Sequence, residues 1–73
     1  VALVVEVMGL RYVEVPPSAV PPGVRWRPDW ARPGTVAYGT ESYHGADVGD
    51  PWRRQVWPES GKARFFLLET WMD

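Results

Sequence analysis

A chain of 73 residues has room for one domain, and at that length only about 60% of the unfolded surface is buried on folding, close to the limit for independent stability. The sequence holds no cysteine, which excludes a disulfide framework, a thiolate nucleophile and a thiolate-bound metal and leans towards a cytoplasmic protein. A formal net charge of −1 argues against a generic polyanion binder. The longest apolar run, Val1 to Val5, is too short to span a bilayer and lacks the basic lead of a signal peptide. A soluble, unprocessed single domain over residues 1–73 is expected.

The first segment, VALVVEVMGLRYVEV, is rich in β-branched side chains and alternates in polarity as a strand does. A hairpin turning at Met8-Gly9 would set Glu6 opposite Arg11 and Val5 opposite Tyr12, pairs each worth about 0.2 to 1 kcal/mol. One long strand bulged at Gly9 satisfies the same pattern. PPSAVPPG follows, and its four prolines at residues 16–22 remove amide donors and fix φ, predicting an extended excursion rather than helix or central strand. That excursion runs on through RWRPDWARPG, where Trp26 and Trp30 stand among Arg25, Arg27 and Arg32 outside any predicted element.

TVAYGTESY, residues 35–43, returns to strand composition with a bulge or kink at Gly39. HGADVGDP, residues 44–51, is a loop with two Gly and two Asp, expected to be the most mobile internal segment. Arg54 to Trp57 reads as a short strand, PESGK as a turn and Ala63 to Trp71 as a final strand. Phe65, Leu68 and Met72 also fall at helical spacing; the adjacent Phe65-Phe66 and the preceding turn favour strand.

About five short strands with a long Pro-rich first loop predict an all-β fold, a small SH3-like antiparallel barrel. Its core is expected at Val5, Val7, Val13, Val15, Val36, Val56, Phe65, Leu67 and Trp71, alternate positions that share one face of each strand. Trp26 and Trp30 would plug the barrel mouth, or with their arginines form a surface for a partner or ligand.

Five Trp, three Tyr and two Phe are more aromatic surface than so small a domain readily encloses. Trp26, Arg27, Trp30, Trp52, Arg53, Arg54 and Trp57 are therefore the candidate binding or interface residues, since Trp, Tyr and Arg dominate interface hot spots. The partner expected is protein, a homo-oligomer or a separate larger subunit. Binding of single-stranded nucleic acid through the same Trp/Arg surface is the less favoured alternative, because the net charge opposes a polyanion. A second, polar candidate site gathers Tyr43, His44, Asp47 and Asp50 on one loop: a histidine oriented by an aspartate can act as general base, and the same aspartates can simply organise the turn. With Glu41 they make an oxygen-rich set without recognised metal-ligand spacing. No catalytic residue, metal or cofactor is assigned.

The ordered set GLRYVEV, PPG, ARPGTV, HGA, a short strand ending in Val, and FLLETWMD resembles the C-terminal SH3-like part of nitrile hydratase and thiocyanate hydrolase β-type subunits, over residues 9–73. The resemblance implies an SH3-like barrel acting as the non-metal component of a nitrile hydratase-like complex, since that family binds its metal through a cysteine cluster on the α subunit. The family's penultimate strand carries an arginine directed at those cysteines. Here Trp57 stands at that place, with Arg53 and Arg54 on the same strand.

Overall fold

Met8 and Gly9 have φ values of 50° and 80°, the two positive angles that a type I′ hairpin turn requires. They join strand β1, Val4–Val7, to strand β2, Leu10–Val15. The pairing sets Glu6 opposite Arg11 and Val5 opposite Tyr12, as the hairpin reading expects, and excludes a single bulged strand. Glycine supplies the second positive φ without cost, whereas Met8 holds its own at about 1 to 2 kcal/mol.

This computed structural model describes residues 2–27, 32–41 and 50–70. After β2 the prolines allow only a single 3₁₀ turn, Pro17–Ala19. The chain then forms β3 (Val24–Arg27), β4 (Val36–Glu41), β5 (Trp52–Val56) and β6 (Ala63–Thr70). All pairings are antiparallel in one sheet of order β1-β2-β6-β5-β4-β3. The architecture is all-β, with six strands in place of about five: the hairpin supplies two, and β3 arises inside the Pro-rich excursion. That strand lies at a sheet edge, where the prolines before it remove no ladder donor. Trp26 is consequently a strand residue, contrary to the expectation for RWRPDWARPG. Helical spacing in the last segment is overruled, since β6 pairs with both β2 and β5.

The register divides the side chains between two faces. One, here the Trp face, carries Trp26, Ala37, Gly39, Trp52, Arg54, Val56, Phe65, Leu67 and Val13; the other, the Tyr face, carries Val5, Leu10, Tyr12, Tyr38, Arg53, Gln55, Phe66 and Leu68. Each face has its own small core: Tyr12, Phe66 and Leu68 on the Tyr face, and Ala37, Trp52 and Val56 on the Trp face. Of the eight expected core residues that are described, only Val56 is buried. Val5, Val7, Val13, Val15, Val36 and Phe65 are half-buried and Leu67 is exposed, while Trp71 lies outside the described residues. The β6 face was misjudged because Phe65, Phe66, Leu67 and Leu68 are apolar on both sides, so alternation carries no sign there. The expected mobile loop, residues 44–51, falls outside the described residues apart from Asp50 and Pro51. Among the described residues no helix is long and apolar enough to cross a membrane.

Twist sets how the faces close. The rings of Trp26 on β3 and Phe65 on β6 meet at 5.8 Å on the Trp face, and those of Tyr12 on β2 and Tyr38 on β4 at 6.1 Å on the Tyr face. Each contact spans two intervening strands, and the register places the two pairs on opposite diagonals of the sheet. A twisted sheet is a saddle, concave towards one face along one diagonal and towards the other face along the other. Gly39 makes the Trp-face closure possible. A Cβ there would lie 2.5 Å from Val24 Cγ1 and 3.0 Å from Trp26 Cε3. Gly39→Val is expected to lift β3 and Trp26 from the sheet and destabilise the fold by about 1 to 3 kcal/mol, read as a lower denaturation midpoint together with a changed Trp fluorescence maximum. Phe66→Ala, emptying the most buried side chain, is expected to cost about 3 to 5 kcal/mol, whereas Leu67→Ala stays near the small values of surface positions; equal losses at the two sites would contradict the face assignment.

Candidate functional site

Because β5 alternates, its residues in the candidate set do not share one surface. Trp52 and Arg54 point to the Trp face and Arg53 to the Tyr face, with Arg27 of β3. Trp52 is buried at 4% exposure beneath the Trp26–Phe65 closure. The Arg54 guanidinium lies over the Trp26 ring at 4.8 Å. Trp57, beyond the end of β5, is covered by Arg64 at 5.1 Å, and its indole N–H is buried without an acceptor among the described residues. The three described tryptophans of the set are thus engaged within the domain, and Arg54 stacks on one of them. Trp30, Tyr43, His44 and Asp47 lie outside the described residues. Of the polar loop set only Asp50 is described, and its carboxylate accepts from Arg27 Nη2 at 2.8 Å.

Arg53 occupies the centre of the Tyr face at 7% exposure. Its guanidinium donates to Gln55 Oε1 at 3.0 Å and lies 5.4 Å from the Phe66 ring centre. Its Nε has no acceptor among the described residues. Stacking on a ring that is itself fully buried is where a cation–π contact is worth most, about 2 kcal/mol.

Beyond the Tyr12–Tyr38 pair the same face opens into a groove of about 380 Å³, lined by Val7, Met8, Leu10, Tyr12, Tyr38, Asp50 and Leu68. Its walls are mostly apolar. Met8, held out by the positive-φ turn, is 96% exposed at the rim. The Tyr12 hydroxyl is directed at the Asp50 carbonyl at 3.4 Å, longer than an effective O–H···O bond, so it stays available to another acceptor. A groove of this make-up suits an apolar side chain flanked by a polar backbone. Among the described residues no three acidic or histidine side chains come close enough to hold a metal ion. A second, more polar hollow of about 330 Å³ lies at the β5–β6 turn, between Trp57, Glu59, Ser60, Lys62 and Arg64. There Arg64 is already drawn to Glu14 at 3.4 Å.

Sequence reasoning singled out neither Tyr12 nor Met8. Both were implicit in the hairpin register: pairing Val5 with Tyr12 puts the phenol on the valine face, and a two-residue turn throws Met8 into solvent.

The Tyr12 phenol is held above its ordinary value of 10.0, first by burial and then by the neighbouring Tyr38 and Asp50, with Arg53 opposing. A raised folded-state pKa means that the unfolded chain releases this proton first. The stabilisation is complete below pH 10 and declines as pH rises from there through the folded-state value. Denaturation midpoints measured across that alkaline range should fall less steeply in Tyr12→Phe than in the unsubstituted protein; parallel slopes would show that the phenol is not buried.

No family model matches this chain, and comparison with curated proteins and with solved structures finds no similar protein.

Proposed function

We propose that the chain is a small non-catalytic interaction domain or subunit, which binds protein through the Tyr-face groove and the β1–β2 hairpin beside it. The observation that carries this reading is the juxtaposition of an open apolar groove with a fully exposed Met8 at its rim. Methionine is flexible and polarisable and recurs on surfaces that receive apolar side chains. A neighbouring exposed hydrophobic on the same face, Leu3, extends the patch.

The partner is either a second copy or a separate larger subunit. The ordered motif resemblance makes a cysteine-rich, metal-bearing polypeptide of the nitrile hydratase type the first larger candidate, with this chain as its β-type component. The curl of the sheet, drawn in by two cross-sheet aromatic pairs, supports an SH3-like barrel as the fold on which that resemblance rests. Engagement of Trp26, Trp52 and Trp57 inside the domain weighs against a base-stacking surface.

A photoreactive diazirine side chain in place of Met8 tests the reading. Irradiation in extract of the source cells is expected to give adducts with polypeptide, either the chain itself or one larger partner, and Leu10→Asp in the groove should abolish them. Absence of any protein adduct, with retardation of single-stranded oligonucleotide instead, would overturn the proposal in favour of nucleic-acid binding.

A further inference from the structure

The two edges of the sheet are not alike. Edge strand β3 carries Arg25 and Arg27 and is preceded by Pro21, Pro22 and Gly23, the charges and prolines that keep an edge from pairing with another chain. Edge strand β1 reads VVEV, and three of the four large hydrophobics exposed among the described residues, Leu3, Val4 and Met8, lie on or beside it. Its lone charge, Glu6, is already drawn to Arg11 at 3.3 Å.

The hairpin fixes which backbone groups of β1 are free. Val7 and Leu10 close a two-residue turn and exchange backbone bonds, so alternate residues behind Val7 direct theirs towards β2. The Glu14 N–H donates to the Leu3 carbonyl at 2.8 Å, in phase with this. Val4 and Glu6 therefore turn their N–H and C=O outward, as a ladder unpaired among the described residues.

We infer that β1 pairs antiparallel with β1 of a second copy of this chain, about a two-fold axis through Val5, joining the two sheets edge to edge. This names one partner within the interaction reading above and rests on it. The axis position follows from charge. An axis at Glu6 would set two carboxylates directly opposite, which is unfavourable. Centring on Val5 instead sets Glu6 of each copy against Val4 of the other, Val5 against Val5, and Leu3 against Val7. Leu3 shares the Tyr face with Val5 and Val7, so the second copy's leucine comes to the Val7 end of the groove. The contact is self-complementary, as a closed dimer demands. Pairing β1 with the arginine-bearing β3 edge of another copy would run on without closure.

An edge contact of this length falls below the roughly 1,200 Å² of stable complexes, so a dimer in the micromolar to millimolar range is expected. Sedimentation velocity from about 10 μM to 1 mM covers that range. The unsubstituted protein should pass from monomer to dimer and stop there. Val4→Glu faces Glu6 of the second copy twice by symmetry and should weaken association about tenfold. Val4→Lys faces the same carboxylates and should leave it intact or tighter. Circular dichroism shows whether both variants keep the fold, which the 48% exposure of Val4 favours.

Hydrogen exchange gives a reading that needs no variant. The Val4 and Glu6 amides should exchange fast in dilute solution and slowly in concentrated solution, while Val5 and Val7 stay protected in both. A monomer at every concentration overturns this inference and leaves the wider reading to the Met8 adducts, which would then join a different polypeptide. Open-ended polymer, equal weakening by Val4→Glu and Val4→Lys, or concentration-independent exchange at Val4 and Glu6 would also overturn it.

Discussion

A single sheet has two faces, and the described residues supply no second layer with which to cover either. Stacking another sheet or a helix on one side is the usual solution, and 73 residues with six strands leave little sequence for it. The twist of the sheet takes its place. Opposite diagonals bend towards opposite faces, and each bend is closed by one aromatic pair, Trp26 with Phe65 and Tyr12 with Tyr38. Gly39, Ala37 and Trp52 then owe their burial to the first closure. Phe66, Leu68 and Arg53 owe theirs to the second. The groove is the part of the Tyr face that lies past the reach of its pair.

Local patterns were legible in the sequence, and pairing to β2 and β5 removed their alternatives, a strand bulged at Gly9 and helical spacing in the last segment. The hairpin register followed from charge and β-branched pairing around Met8-Gly9, and the last strand from two adjacent phenylalanines after a turn. What escaped was information held in the twist. Nothing in VRWR, with prolines on both sides, distinguishes an edge strand from an extended linker until β4 is there to pair with it. In FFLL the choice of buried face depends on which neighbour supplies the covering ring. The candidate site shows the same division. Tyr12 was placed opposite Val5 by the register, yet its junction with Tyr38 across two strands depends on a curvature that strand alternation does not encode.

Arginine and aromatic residues interleaved along RWR and PWRRQVW read naturally as a stacking surface for a ligand. In the folded chain the pairs are formed between strands instead. Arg54 of β5 lies over Trp26 of β3, Arg53 of β5 over Phe66 of β6, and Arg64 of β6 over Trp57. A guanidinium is planar and more weakly hydrated than an ammonium, so covering a ring costs it less. For a protein with little core, such lids extend the buried aromatic surface, Arg54 and Arg64 with their charge still partly exposed and Arg53 with its own buried. Interleaving in sequence therefore signals cross-strand stacking as readily as it signals ligand contact. The deciding quantity is whether the partner strand lies within a side chain's length.

Arg53 shows what this arrangement imposes on the Tyr face. A guanidinium keeps its charge at any accessible pH, and at 7% exposure it has lost most of its water. Among the described residues no carboxylate forms an ion pair with it. Its compensation is the Phe66 ring and the Gln55 carbonyl, while Asp50 and Arg53 act in opposite senses on the Tyr12 phenol. Asp50 is itself committed to Arg27. The Tyr face thus runs from a buried cation, through a neutral phenol held between opposing fields, to an apolar groove beside the β1 edge. Polarity falls in the direction of the β1 edge, and that is the direction in which an apolar side chain from another chain meets the least desolvation.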